Sequence, residues 1–165
     1  MVERHDQSGE PHPYLTAWRT RDLDRWGDAL APEVVMHSPI LTRPFAGREA
    51  AVELFDVLFD VLEGVEITEE FVDGDSHVFF WKANIGASTI EGVDLIRSNQ
   101  DGKIFEIKVM IRPLVDIATF AAAIGPPLAA KRGAGRALLL RFLSLPLKAI
   151  LLVADAVASR LLLRR

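Results

Sequence analysis

Residues Ile90–Leu114, IEGVDLIRSNQDGKIFEIKVMIRPL, contain two β-type segments joined by Asn99–Gly102, NQDG. Asp-Gly between alternating apolar residues is a strong hairpin signal. On the second segment, charged residues alternate with the apolar residues Phe105, Ile107, Val109 and Ile111. A strand with this period has one solvated face and one apolar face. The stretch therefore predicts an antiparallel strand pair whose apolar face covers a core.

The first segment carries an acidic residue, Asp94, between Val93 and Leu95. A carboxylate among apolar strand residues is either solvated at the edge of a sheet or part of a functional site. The strand pattern by itself leaves both interpretations open.

The composition is that of an ordinary soluble globular chain, with 165 residues, 50% hydrophobic residues and a net charge of −4. This length suits one domain with an appendage. A net negative charge gives no electrostatic support for a nucleic-acid partner. The absence of cysteine excludes disulfides and thiolate chemistry. No metal-ligand spacing, phosphate loop or dinucleotide fingerprint is present, so we expect neither a metal nor a cofactor.

The order of elements predicts an α+β domain with helices on one face of a curved sheet. Asp22 is suited to cap the second helix, and Gly125–Pro127, GPP, is expected to break the last helix of the domain. We therefore divide the chain into a flexible tail over 1–11, a domain over 12–124 and a helical extension over 125–165. The predicted helices are Tyr14–Arg21, Leu23–Leu30, Gly47–Glu63 (closed by Gly64) and Val115–Ile124; the predicted strands before the hairpin are Glu33–His37, Val65–Val72 and His77–Ala87.

The chain carries several motifs in sequence order: YLTAWRTRDLD at Tyr14–Asp24, HSP at His37–Pro39, PFAGREA at Pro44–Ala50, DGKI at Asp101–Ile104 and RPL at Arg112–Leu114. In this order and spacing they resemble the nuclear transport factor 2-like superfamily, and the SnoaL-like branch fits best. The resemblance implies a cone: a strongly bent antiparallel sheet with helices packed on its concave face, enclosing an apolar pocket and often forming a homodimer. The C-terminal forty residues lie outside the core that such proteins share.

Relatives on this fold include ketosteroid isomerases, polyketide cyclases, epoxide hydrolases and non-catalytic binding modules, so the residues must decide the function. The isomerases use a Tyr on the first helix and a protonated Asp on a strand to bind an oxyanion, with a separate carboxylate as base. Tyr14 and Asp94 fall at the matching positions. The position of the base is Ser38, whose hydroxyl cannot abstract a carbon-bound proton unaided. His37 is a third catalytic candidate because histidine titrates near neutral pH.

The epoxide-hydrolase reaction needs an Asp–Arg–Asp relay, and neither residue type occurs between Ser76 and Ala87. The large apolar residues instead suggest a pocket for a small apolar molecule, or else a filled core. The residues expected to line this interior are Trp18, Phe55, Phe59, Phe79, Trp81, Ile107, Val109 and Ile111.

The C-terminal segment 134–165 is rich in Leu and Ala, and Pro146 interrupts it. Its uninterrupted apolar runs are shorter than the roughly 20 residues that span a bilayer, so we expect no transmembrane helix. Its apolar face either packs on the protein, over the cone or a dimer partner, or lies in a membrane interface. The polar N-terminus, MVERHDQSGE, lacks the features of a signal peptide. We expect a cytoplasmic location, with membrane association left open.

Three functions remain open from the sequence. The first is an isomerase, cyclase or hydrolase that uses Asp94 on an apolar substrate. The second is a module that binds a lipid-like or terpenoid-like ligand without chemistry. The third is a scaffold whose interior is filled and whose C-terminal helix mediates assembly.

Overall fold

The computed structural model describes residues 11–162, and within 134–148 it describes the side chains of residues 135 and 138 alone. The tail predicted over 1–11 therefore lies almost wholly outside the described residues. The helices are α1 (Pro13–Thr20), α2 (Leu23–Ala29), α3 (Arg48–Val61), α4 (Leu114–Ala130) and α5 (Ala134–Leu162); the strands are β1 (Leu30–His37), β2 (Phe45–Ala46), β3 (Glu63–Asp73), β4 (Ser76–Ile85), β5 (Ser88–Ser98) and β6 (Ile104–Arg112).

Helix α2 begins at the predicted residue, Leu23, and α1 begins one residue before the predicted start, at Pro13. Pro13 occupies the first turn of α1, where its missing N–H costs no hydrogen bond. Asp22 caps α2, because its carboxylate accepts a hydrogen bond from the Arg25 backbone N–H at 3.0 Å.

The six strands form one curved, open sheet in the order β2-β1-β6-β5-β4-β3. The α+β class with a curved sheet is confirmed, and the predicted antiparallel arrangement holds for every strand pair except one. Strand β1 runs parallel to β6, with Met36 beside Ile107. The long connection through α3 and the β3–β5 meander permits this pairing, whereas a short hairpin turn would not.

A bulge in β6 changes the face of one residue. Ile104 pairs with Ser98 and Glu106 with Arg97, so Phe105 is an extra residue between them. Strict alternation predicted Phe105 on the apolar face, and this was wrong. Phe105 is 37% exposed, while Ile104 is fully buried in its place.

Two predicted helix ends differ from those observed. Gly64 does not follow α3 directly but lies inside β3, with a φ of 59° beside a register shift. Gly125–Pro127 does not break α4, which continues to Ala130. The predicted boundary between residues 124 and 125 therefore falls within a helix.

The core lies between the concave face of the sheet and helices α1 to α4. Helix α4 packs on α3 and on strands β4 to β6, and α5 packs against α4. None of the helices in the described part of the chain is long and apolar enough to cross a membrane. All eight residues predicted for the interior belong to this core: six are buried, and Trp18 and Val109 are partly buried.

We expect Asp22→Ala to lower the free energy of unfolding by about 1 kcal/mol, because the N-terminal N–H groups of α2 lose their cap. Asp24→Ala, in the same helix turn but without the capping bond, is the matched control. Urea denaturation followed by circular dichroism measures both. Equal losses in the two variants would contradict the capping role.

Candidate functional site

Asp94 lies on the inward face of β5. The residues two positions away on either side, Gly92 and Ile96, are buried with it, and Asp94 itself is 3% exposed. Its cross-strand neighbours are Phe79 on β4 and Val109 on β6. Of the two interpretations of this acid, the structure therefore supports the buried one and excludes a solvated edge residue.

Tyr14, on α1, reaches the same point from the opposite side of the core. Its hydroxyl donates a hydrogen bond to Asp94 Oδ2. Its ring stacks on Phe79 with the ring centroids 5.2 Å apart, and the edges of Trp18 and Trp26 approach it at 6.2 and 6.1 Å. Helix α1 and strand β5 are thus joined by a polar contact inside an aromatic cluster.

Burial changes the acid–base properties of both groups. It raises the pKa of Asp94 from its usual 3.8 to about 6, although the hydrogen bond from Tyr14 and the nearby Trp81 indole N–H lower it in part. Burial, followed by the negative charge of Asp94, holds the pKa of Tyr14 well above 10. Tyr14 is therefore a neutral hydrogen-bond donor at physiological pH. The pKa of Asp94 lies close enough to physiological pH for its carboxyl group to exchange a proton there.

Several polar atoms around this pair have no hydrogen-bond partner among the described residues. They are Asp94 Oδ1 and the indole nitrogens of Trp18, Trp26 and Trp81. The indole of Trp81 is near enough to Asp94 to lower its pKa, but its geometry falls short of a hydrogen bond. A buried polar atom without a partner costs about 1–3 kcal/mol. Each such atom therefore needs a partner that completes its hydrogen bonding, such as an ordered water or a polar group of a ligand.

Gly92 makes room for Trp81. The two residues are directly opposite on β5 and β4, and a Cβ at position 92 would lie 2.2 Å from the indole ring. The absence of a side chain lets the indole lie across β5, beside Asp94. The sequence pattern gave no sign of this requirement, because an isolated glycine in a strand has several explanations.

His37 is not brought to the Asp94–Tyr14 pair. Its side chain is 44% exposed, and its Nε2 lies 3.5 Å from Glu106 Oε1. Its catalytic role stays a prediction. Ser38, at the expected position of a base, uses its hydroxyl to accept hydrogen bonds from the backbone N–H groups of Ile40 and Leu41 at 3.1 and 3.4 Å. It stabilises a turn.

His12 is a site residue that the sequence did not reveal. Its Nδ1 accepts a hydrogen bond from the Tyr14 backbone N–H at 3.2 Å, so it caps the helix that carries Tyr14. The centroid of its ring lies 4.2 Å from the ring centroid of His77 and 5.4 Å from that of Phe79. Burial, and then the nearby His77, lower the pKa of His12 to about 4. His12 is therefore neutral at physiological pH, as an acceptor at Nδ1 must be. The sequence feature that could have indicated this capping role is the position of His12 directly before Pro13.

Within residues 11–162, no three His, Asp or Glu side chains are grouped as a metal site would require. The structure has a shallow apolar groove of about 820 Å³ along α5 and a polar one of about 550 Å³ at the start of α3. Neither groove is lined by Asp94 or Tyr14. The chemistry available at the pair is thus hydrogen bonding and proton exchange by a single buried carboxyl group.

The raised pKa of Asp94 predicts a pH-dependent stability. Between about pH 4 and 6 the unfolded chain releases the Asp94 proton while the folded chain keeps it. The stability of the protein relative to Asp94→Asn should therefore fall across this range, by up to about 3 kcal/mol, and stay level above it. Tyr14→Phe should extend this pH range upward, because the hydrogen bond from Tyr14 lowers the pKa of Asp94. Urea titrations at a series of pH values test this, and a constant difference would contradict it.

Gly92→Ala should lower the free energy of unfolding by about 1–3 kcal/mol, since the added methyl group clashes with Trp81. Gly135→Ala is the matched control, because a Cβ there meets nothing within 4 Å. The control should be neutral or slightly stabilising in the same urea titration. If the two variants are equally stable, the close contact at Gly92 does not constrain Trp81.

The fold has counterparts among solved structures. A steroid delta-isomerase from Pseudomonas aeruginosa has a TM-score of 0.69 and is 28% identical, with 73% of this chain and 90% of that chain covered. A protein with a cystatin-like fold from Silicibacter pomeroyi has a TM-score of 0.63 at 21% identity, over 79% and 93% of the two chains. A computationally designed 17-OHP binder has a TM-score of 0.53 at 24% identity, over 62% and 91%. The last two show the fold alone.

Sequence comparison gives the family. No curated protein matches the chain at a significant level. The sequence model of the SnoaL-like domain matches residues 12–107, which include α1, the curved sheet up to the middle of β6, and both members of the Tyr14–Asp94 pair. The chain therefore belongs to the SnoaL-like domain family, within the nuclear transport factor 2-like superfamily.

Proposed function

We propose that the protein binds a small apolar molecule bearing an oxygen substituent, and that Asp94 Oδ1 contacts this oxygen. The observation that carries the proposal is the buried Tyr14–Asp94 hydrogen bond, which engages Oδ2 and leaves Oδ1 without a partner among the described residues. Apolar surroundings with a few convergent polar groups are typical of sites for such ligands.

The protonation state of Asp94 selects the kind of oxygen. Above pH 6 the carboxylate is ionised, so Oδ1 accepts a hydrogen bond and favours a ligand hydroxyl. Below pH 6 the protonated carboxyl can donate, and a ligand carbonyl becomes acceptable. The Tyr14 hydroxyl does not donate to the ligand in place of Asp94, because it already donates its hydrogen bond to Asp94 Oδ2.

Catalysis by the same residues is a second candidate. A carboxyl group with a pKa near 6 suits proton exchange at neutral pH. Because the chain is similar to a steroid delta-isomerase, isomerisation is the first reaction to test. The turn-forming role of Ser38 weighs against it. Among the buried residues described, Asp94 is the single carboxylic acid, so a separate buried base has no candidate. We therefore place ligand binding ahead of isomerisation.

A matched pair of probes, a 3-ketosteroid and the corresponding 3-hydroxysteroid, tests the binding proposal by calorimetry at pH 5 and pH 8. The ketone should bind more weakly at pH 8, approaching tenfold for each pH unit above 6, because binding then requires protonation of Asp94. The hydroxysteroid should show the opposite trend.

Asp94→Asn is the isosteric control and should remove the pH dependence for both probes. Unchanged pH dependence in Asp94→Asn would show that another group titrates, and failure of both probes to bind at either pH would favour the filled-core scaffold. A Δ5-3-ketosteroid offered to the same variants tests isomerisation, since conversion to the conjugated ketone is visible by absorbance. Full turnover in Asp94→Asn would reject Asp94 as the proton donor.

A further inference from the structure

The C-terminal half of α5, residues 149–162, exposes an unusual amount of apolar surface. The exposed fractions reach 64% for Ile150 and Val153 and 75% for Leu161. In this half, Leu151 and Ser159 are the residues that are partly buried. Because α5 packs against α4 and yet leaves these side chains in contact with solvent, a further surface is needed to cover them.

The apolar surface extends far around the helix. At about 100° per residue, Ile150, Val153, Val157 and Leu161 form one stripe. Leu152 and Leu162 lie well away from this stripe, at about 200° and 120° from Ile150, and they are 47% and 79% exposed. A partner helix contacts a narrow stripe, whereas a bilayer interface is fluid and accommodates a wider arc.

The charge distribution indicates the kind of surface. Residues 131–165 contain eight of the 19 basic residues and one of the 23 acidic residues, Asp155. Two of the eight, Lys131 and Arg132, form ion pairs with Asp56 and Glu53 of the domain, which leaves six for an external surface. The preceding 130 residues therefore contain 11 basic and 22 acidic residues. An anionic surface attracts the C-terminal segment and repels the rest, which holds the acidic domain away from it.

We propose that residues 149–162 of α5 lie in the interface of a bilayer that contains anionic lipids. The apolar stripe enters the boundary between headgroups and acyl chains, and Arg160 contacts the headgroups. The occupant of this surface is thus a lipid membrane rather than a protein.

Flotation of the full chain with vesicles tests the proposal. Vesicles of phosphatidylcholine with phosphatidylglycerol are compared with phosphatidylcholine alone, at low and high salt. Val157→Glu and Leu161→Glu alter exposed positions and should leave the fold intact. Leu41→Glu, on a loop residue that is 53% exposed, is the matched control.

The full chain and the control should float with the anionic vesicles, and Val157→Glu and Leu161→Glu should each weaken binding by about tenfold or more. Arg160→Gln should weaken it by about fivefold, as expected for one basic residue near such a surface. High salt and neutral vesicles should both reduce binding.

Equal binding by Val157→Glu and the full chain would overturn the proposal. Equal binding to neutral vesicles would overturn the requirement for anionic lipid. If sedimentation shows that the full chain self-associates and Val157→Glu does not, while neither floats, a second copy is the occupant and the membrane proposal is wrong.

Discussion

The hydrogen bond between Tyr14 and Asp94 joins two parts of the chain that are 80 residues apart in sequence. It is the polar contact around which the aromatic core is arranged. Phe79 lies opposite Asp94 on the neighbouring strand and stacks on the Tyr14 ring, so the same pair of residues is held by both packing and hydrogen bonding. If either partner lost its polar group, the other would remain buried with less compensation, which is why the two positions depend on each other.

Two features adapt the surrounding structure to this contact. On the helix side, His12 caps α1 and fixes its first turn. On the sheet side, Gly92 gives the Trp81 indole a place across β5. Both features act on geometry alone, because neither residue contributes a charge to the pair at neutral pH. The site is therefore one buried carboxyl group among aromatic side chains, and this arrangement is the basis of the proposed ligand binding.

The features that the sequence predicted correctly are those determined by a few neighbouring residues. The Asn99–Gly102 turn and the Asp22 cap depend on a few adjacent residues, and both were predicted correctly. The opposed positions of Tyr14 and Asp94 came from the family resemblance, since no periodicity relates residues so far apart. The parallel β1–β6 pair and the bulge at Phe105 were missed because strand pairing partners lie elsewhere in the chain. The continuation of α4 through Gly125–Pro127 was missed because the helix packs on α3 and the sheet, and tertiary packing outweighs local propensity.

The aromatic frame also gives the protein a spectroscopic property. The chain contains three tryptophans and one tyrosine. Trp18 and Trp26 contact the Tyr14 ring, and Trp81 lies beside Asp94. Every strong near-ultraviolet chromophore of the molecule is therefore concentrated around one titrating carboxyl group. Intrinsic fluorescence reports on this single location, without a label and without background from the rest of the domain.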